Sequence, residues 1–260
     1  MAMRTDLPTA ETFHPAHDCA LCRLGTLTIP CTAGDVRRLV EVKVIDEGGG
    51  RYHQEVDPDG SPRRLHRTNV VQGEGPIPCP VMLIGEAPGF HEDREGLPFR
   101  PTAAAGRVLK RALDNVGLLW PHGGYPDYTI YEDADDIWNL CSAHNPLVYV
   151  TNVLKCRPEN NKIDRFPDAV EVCRSTFLGP EIEAVQPRVV VCLGKVAALP
   201  WFGKQSALAF RQVDDSSQGG RSIMFIHAPH PSHIARGATG AMEKLVEALR
   251  VAKEVGYALR

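Results

Sequence analysis

Three short polar stretches in this chain each follow an apolar run and carry side chains able to do chemistry. The first is Gly85-Glu86-Ala87-Pro88-Gly89, continued by Glu92-Asp93 and by Gly96-Leu97-Pro98-Phe99. The second is Thr151-Asn152-Val153-Leu154-Lys155-Cys156-Arg157-Pro158, and the third His227-Ala228-Pro229-His230-Pro231-Ser232. Brought together they would offer a carboxylate, a carboxamide that both donates and accepts, an imidazole and an aromatic ring. The first stretch has neither the G-x-G-x-x-G spacing of a dinucleotide site nor the G-K-[ST] ending of a P-loop, so no nucleotide cofactor is expected.

The cysteines form a second chemical signal. There are eight, at positions 19, 22, 31, 79, 141, 156, 173 and 192. Cys19 and Cys22 make a C-x2-C pair, and Cys156 and Cys173 a C-x16-C pair. Four thiolates are the usual shell of an iron–sulfur cluster and also of a structural zinc ion, and spacing alone does not choose between them. Cys192 lies inside an apolar run and reads as core; Cys31, Cys79 and Cys141 read as buried thiols, Cys31 being the one that could serve as a spare ligand.

The elements that must position these groups are legible from periodicity. Val81–Ile84 is a continuous apolar run ending in Gly85, the signature of a strand buried on both faces. Leu147–Thr151, Arg188–Leu193 and Ser222–His227 are further strands, and helical spacing recurs over 103–117, 168–178, 194–201 and 239–256. Strands alternating with helices predict an α/β fold, a three-layer α/β/α sandwich around a mostly parallel four-stranded central sheet. Ligands of such sheets bind beyond the carboxyl ends of the strands, where the three polar stretches would meet.

One domain over residues 1–260 is expected, with insertions at about 32–72 and 120–146. The first insertion is β-rich: Val40, Val42 and Val44 alternate with polar residues, and turn signals at 48–50 and 57–60 flank Tyr52–Val56. The second carries the acidic run Glu132–Asp136, which reads as a solvated face.

Composition sets outer limits. Of 260 residues 43% are hydrophobic and 23% charged, an ordinary globular balance that excludes a fully disordered chain. The net charge of −3 supplies no global basic field, so binding to nucleic acid must come from a local patch. No apolar run approaches the roughly 20 residues a membrane helix needs, and no membrane partner is expected. The first residues, Met1 to Pro8, have no apolar core and carry Asp6, unlike a secretory signal, so a cytoplasmic, reducing location without a disulfide framework is expected.

In GEAPGFHEDREGLPF (85–99), TNVLKCRP (151–158) and HPSHIAR (230–236), with QGEGP (72–76) and the C-x2-C at 19–22, the chain resembles the family 4 uracil-DNA glycosylases. These are the iron–sulfur branch of the uracil-DNA glycosylase superfamily. The resemblance covers roughly residues 15–30 and 70–250. It implies a monomeric, monofunctional DNA glycosylase acting in base excision repair, with DNA as partner, that hydrolyses the bond between uracil and its sugar. It also implies a [4Fe–4S] cluster on Cys19, Cys22, Cys156 and Cys173.

The roles it implies are specific. Glu86 positions water or stabilises the cationic sugar, Ala87 contributes its backbone N–H, and His230 donates to the uracil oxygen on which charge grows. Phe99 stacks on the flipped base, Asn152 pairs with the amide edge of uracil, and Glu92 crowds C5 and so rejects thymine. Ser232, Ile234, Arg236, Lys155 and Arg157 contact DNA, Ile234 as an apolar wedge, and Arg107 is a further phosphate contact. Arg63, Arg64, His66 and Arg67 form a basic cluster that extends this surface or is a solvated turn. The chain departs from the family after Phe99, where Arg100 to Gly106 is about two residues longer than usual. That loop borders the base pocket, so the same chemistry on a 5-substituted pyrimidine, as in bacteriophage DNA, is the alternative. A non-catalytic iron–sulfur DNA-binding module is the third reading.

Overall fold

A computed structural model of the chain describes residues 70–100, 103–118, 147–158, 161–203, 209–215 and 221–258. It also describes Cys19, Leu21, Cys22 and Leu24, and short strands between 28 and 67. Val40–Val44, the 120–146 insertion, Arg64, Cys31 and Cys141 lie outside the described residues.

The strands of the central sheet are β1 (Val81–Gly85), β2 (Tyr149–Asn152), β3 (Val189–Leu193), β4 (Phe210–Asp215) and β5 (Arg221–Ala228), in the order β2-β1-β3-β5-β4. The first three and β5 run parallel; β4 pairs antiparallel with β5. The expected four strands are therefore joined by a fifth. Its sequence, Phe-Arg-Gln-Val-Asp-Asp, lacks a continuous apolar run because an edge strand need not be buried on both faces. In the first insertion Glu55–Val56 pairs antiparallel with Pro62–Arg63, and Leu65–Arg67 pairs antiparallel with Thr28–Pro30 just before it, in line with its expected β-rich character.

The described helices are α1 (Phe90–Glu95), α2 (Ala104–Val116), α3 (Pro167–Cys173), α4 (Gly179–Val185), α5 (Lys195–Phe202), α6 (Pro231–Ala235) and α7 (Ala241–Gly256). The helix expected over 168–178 continues through a π-helical turn, Arg174–Leu178, into α4.

Alternation along the strands divides the core into two layers. Val81, Leu83, Val150, Val189, Val191 and Ile226 face Leu109 and Leu113 of α2 and Leu245, Ala248 and Leu249 of α7. Met82, Ile84, Tyr149, Val190, Cys192 and Phe225 face Leu178, Val185 and the α5 residues Ala197, Ala198 and Phe202. This is the expected three-layer sandwich. A third, smaller core gathers Leu24, Val70, Leu154, Phe166, Ala169 and Phe177 with the cysteines 156 and 173.

The outer edge of β2 is covered by residues 70–74, which run antiparallel to the chain between 150 and 156. Val71 N–H donates to the Lys155 carbonyl, and Glu74 and Val150 exchange backbone bonds of 2.8 and 2.7 Å. On the opposite side of the site, α2 approaches the loop after Phe99 so closely that a Cβ on Gly106 would run into the Arg100 carbonyl. Alanine normally gains up to about 1 kcal/mol over glycine inside a helix. Here the sign should reverse: Gly106→Ala is expected to cost about 1–3 kcal/mol by overpacking, read as a lower urea midpoint.

Candidate active site

All four parallel strands end on the same edge, and each delivers one part of the site. After β1, Glu86 turns toward the start of α5, where its Oε1 accepts the Val196 N–H at 2.9 Å. After β3 comes Gly194, in a left-handed conformation with φ +96°. A Cβ there would stand 2.5 Å from Glu86 Oε1 and 3.0 Å from His230 Cβ, so the glycine lets carboxylate and imidazole share one corner. The loops after β1 and β2 are joined by Val153 N–H to the Gly85 carbonyl and Leu154 N–H to the Glu86 carbonyl, at 2.9 and 3.1 Å.

Asn152 ends β2 and is 1% exposed. Strand alternation puts it on the Val150 side, the side of Phe99. A Cβ on Gly85 would strike both Asn152 Oδ1 and the tip of the Phe99 ring, so amide and ring meet above that glycine. Neither Oδ1 nor Nδ2 finds a hydrogen-bond partner among the described residues. A buried amide left so costs about 1–3 kcal/mol, a penalty that a ligand with one donor and one acceptor would relieve.

Phe99 is buried and has φ +50°, a left-handed conformation that costs a residue with a side chain about 1–2 kcal/mol. Glu92 holds it there. Its Oε1 accepts the Phe99 N–H at 2.6 Å and its Oε2 the Gly89 N–H at 2.7 Å, across the first turn of α1. The Phe99 and His230 rings lie 5.8 Å apart, tilted by 39°.

His230 caps α6, with Pro231 in the first helical position. The Ser232 N–H donates to His230 Nδ1 at 3.1 Å, so Nδ1 is the acceptor and the proton of the neutral ring sits on Nε2. Desolvation, and then the charges of His233 and Arg236, lower its pKa from 6.5 to about 4. The imidazole is thus a neutral Nε2–H donor at physiological pH.

Several expected DNA contacts are placed otherwise. Lys155, expected at a phosphate, is 1% exposed, and its Nζ lies 2.6 Å from Glu181 Oε2 and 2.5 Å from Thr151 Oγ1. Glu181 also accepts from Tyr149 Oη at 2.9 Å, so the charge pair is stitched into the sheet. Ser232 stands beside His230, with its Oγ 2.8 Å from Nδ1. Ile234 is half-buried and packs on the α2–α7 core, which commits part of the expected wedge to the fold. Arg157 is half-buried, its guanidinium 5.1 Å from the Phe90 ring centre, while Arg236 and Arg107 are exposed. Glu92 is buried rather than lining an open face, with both carboxylate oxygens bonded to backbone.

Cys19 and Cys22 pack against the same small core that holds Cys156 and Cys173, and Ala87 of the first loop touches it too. All four thiols are free of disulfides. Burial raises the Cys156 thiol pKa strongly, and Cys173, Cys19 and Cys22 push it further up. Cys173 is raised to about 11, burial outweighing the opposing Lys155 backbone N–H and charge. Among the described residues, no group of three or more His, Cys, Asp or Glu side chains is arranged to hold a single metal ion.

Sequence reasoning missed Gly194 with Val196, Glu181, and the pairing of Glu74 with Arg100 at 4.0 Å. Burial raises the Glu74 pKa, and Arg100 pulls it back down. A glycine between an apolar strand and a helix was the one local signal for Gly194. The acid–base pairs join distant segments and leave no local trace.

A family model described as the uracil DNA glycosylase superfamily matches residues 72–252. A type-4 uracil-DNA glycosylase of Archaeoglobus fulgidus is 40% identical over 136 residues, 52% of this chain and 54% of that protein. One of Thermotoga maritima is 31% identical over 188 residues, 71% of this chain and 81% of that protein. A type-5 uracil-DNA glycosylase of Pyrobaculum aerophilum is 33% identical over 181 residues, 68% and 72% of the two chains. The chain thus spans about half the length of the first of these relatives.

The geometry yields two expectations. The His230 ring should show no NMR inflection near pH 6.5 and should titrate near 4. Its depressed pKa means that stability is full above 6.5 and falls as the pH drops toward 4. Lys155→Met takes the ammonium away from buried Glu181 and should cost about 3–5 kcal/mol in urea denaturation. The salt dependence of DNA binding should stay unchanged in any protein that remains folded, since no phosphate contact is lost.

Proposed function

The chain belongs to the uracil DNA glycosylase superfamily, as a relative of its type-4 members, and we propose that it flips uracil out of DNA and hydrolyses its N-glycosidic bond. The observation that carries this reading is the Asn152 carboxamide, buried beside Phe99 without a partner among the described residues. Uracil presents N3–H and O4 side by side, one donor and one acceptor, which is the complement of a carboxamide. Cytosine reverses that pattern and would leave both buried groups mismatched. Phe99 offers a ring face to the base. Since Asn152 and Phe99 are buried, the loop carrying His230 parts to admit a base and closes over it.

The chain's own groups then divide the work. Cleavage breaks the bond between N1 and C1′, with the electron pair leaving on the base, while water adds to C1′ and yields its proton. His230 Nε2–H, neutral and aimed by Ser232, donates to uracil O2 as negative charge grows there. A preaimed donor in a dry site acts most strongly in the transition state. Glu86, fixed through Oε1 by Val196, sets its carboxylate beside the oxocarbenium-like sugar and orients the water. The Ala87 backbone N–H lies in the same loop and supports the base oxygen. Arg236, at the end of α6, meets the phosphate backbone. One domain, carrying two insertions, accommodates these functions.

Two buried thiols, Cys156 and Cys173, and two half-buried ones, Cys19 and Cys22, around one small core fit a [4Fe–4S] cluster: the donor set is that of such clusters, whose thiolates stand further apart than the ligands of one zinc ion. Bound to Cys19, Cys22, Cys156 and Cys173, the cluster ties the N-terminal segment to the loop after β2 and takes no part in hydrolysis.

Single-turnover excision on oligonucleotides bearing uracil, thymine, cytosine or a bulky 5-substituted pyrimidine tests the reading. Uracil should be removed fastest. Glu86→Ala and His230→Ala should each slow the step by about 10²–10³-fold, with far smaller changes in DNA affinity. Excision of the bulky base with uracil left intact would transfer the assignment to that base. The isolated protein should be brown and contain iron, with the colour lost in Cys156→Ala and kept in Cys192→Ala. Colourless folded protein with stoichiometric zinc would exclude the cluster.

A further inference from the structure

We propose that Glu92 is a positioning residue that holds the Phe99 ring in place through the backbone, and that it does not exclude bases by meeting their C5 position. The inference rests on the glycosylase reading above for its substrate, and on geometry for its mechanism. Both carboxylate oxygens are taken up by the loop itself, Oε1 by the Phe99 N–H at 2.6 Å and Oε2 by the Gly89 N–H at 2.7 Å. Glu92 is buried, so its charge has little water to turn to, and these short charge-assisted bonds contribute to compensating it.

What the clamp holds is itself out of the ordinary. Phe99 lies at φ +50°, and a bulky residue keeps such a conformation only where its surroundings over-determine it. Gly96, also left-handed, ends α1 and starts the return toward Phe99. On the far side of Phe99 the chain is pinned again: the Arg100 carbonyl accepts the Ala103 N–H at 2.9 Å and lies directly against Gly106. The ring therefore sits between two anchors, and the one before it is a single carboxylate. Releasing that carboxylate lets Phe99 relax to an ordinary backbone conformation, which swings the ring away from Asn152 and His230. In this arrangement opening the clamp degrades uracil excision instead of admitting thymine.

The discriminating variant is Glu92→Gln, which keeps the size of the side chain but sets an N–H2 against one of the two backbone donors. If Glu92 were a steric gate, Glu92→Gln would cut uracil at the wild-type rate. As a clamp it should lose about 10–100-fold in single-turnover rate, the scale set by displacing a group by an ångström or so. Thymine excision should stay at background in both Glu92→Gln and Glu92→Ala. Combined with Phe99→Ala, either substitution should add little to the loss that Phe99→Ala causes alone, because Glu92 acts through that ring. Multiplying losses, or thymine excision by a Glu92→Ala protein that still cuts uracil, would overturn the proposal. A readout free of any base preference is amide hydrogen exchange at Gly89 and Phe99. It should be slow in the wild type and faster in Glu92→Gln, with melting temperature and global exchange otherwise close to wild type. Unchanged exchange at both amides would equally overturn the clamp, whereas loss of uracil excision by the wild type with the exchange result intact would instead count against the substrate assignment.

Discussion

In β1 and β3 every residue from 81 to 85 and from 189 to 193 is shut away from water on both faces of the sheet. No polar side chain can leave such a strand sideways without losing its hydration. Functional groups are therefore confined to the points where the strands end, and parallel strands end together. Gly85 and Glu86, Asn152, Gly194 and His230 all lie within two residues of the ends of four neighbouring strands. The sandwich that buries the core is what concentrates a carboxylate, an amide and an imidazole on one edge.

The same constraint explains the exception. Tyr149 and Thr151 of β2 point into the layer that elsewhere holds Met82, Val190 and Phe225, yet both carry hydroxyls. They are tolerated because Glu181 and Lys155 complete the hydrogen bonding around them. Removing either charge would leave the other buried in a medium that cannot screen it. The pair also lies between two functional segments: Lys155 is followed directly by Cys156, and Thr151 directly precedes Asn152. A network that holds Thr151 and Lys155 at a fixed distance holds the reading amide and the thiol loop at a fixed distance as well.

Rigidity on the base side comes from a different source. Around Phe99 the chain is held by backbone donors meeting one carboxylate and by a helix that comes close enough to need glycine at 106. Neutral, desolvated His230 completes the wall. Three of the groups that would act on a substrate are thus each held by a second group: Glu86 by Val196, His230 by Ser232, Phe99 by Glu92. Asn152 has no partner among the described residues, which is why it reads as the group waiting for a ligand.

What was legible in the sequence was what depends on neighbours along the chain. Apolar runs marked the four parallel strands, helical spacing marked α2 and α7, and the polar motifs after the runs marked the site. Strand β4 escaped because an edge strand is half solvated and its residues show no apolar run; Phe210 is 50% exposed. Lys155 read as a surface cation because its sequence neighbours are Leu154, Cys156 and Arg157, and nothing local announces Glu181, 26 positions on. Glu92 read as a residue facing the base because position does not say where a carboxylate turns. Periodicity records which side of an element faces the core, since that repeats every two or 3.6 residues. Which buried charges pair, and which backbone donors claim a carboxylate, is decided only when distant segments pack, because the desolvation that forces those choices does not exist before the chain folds.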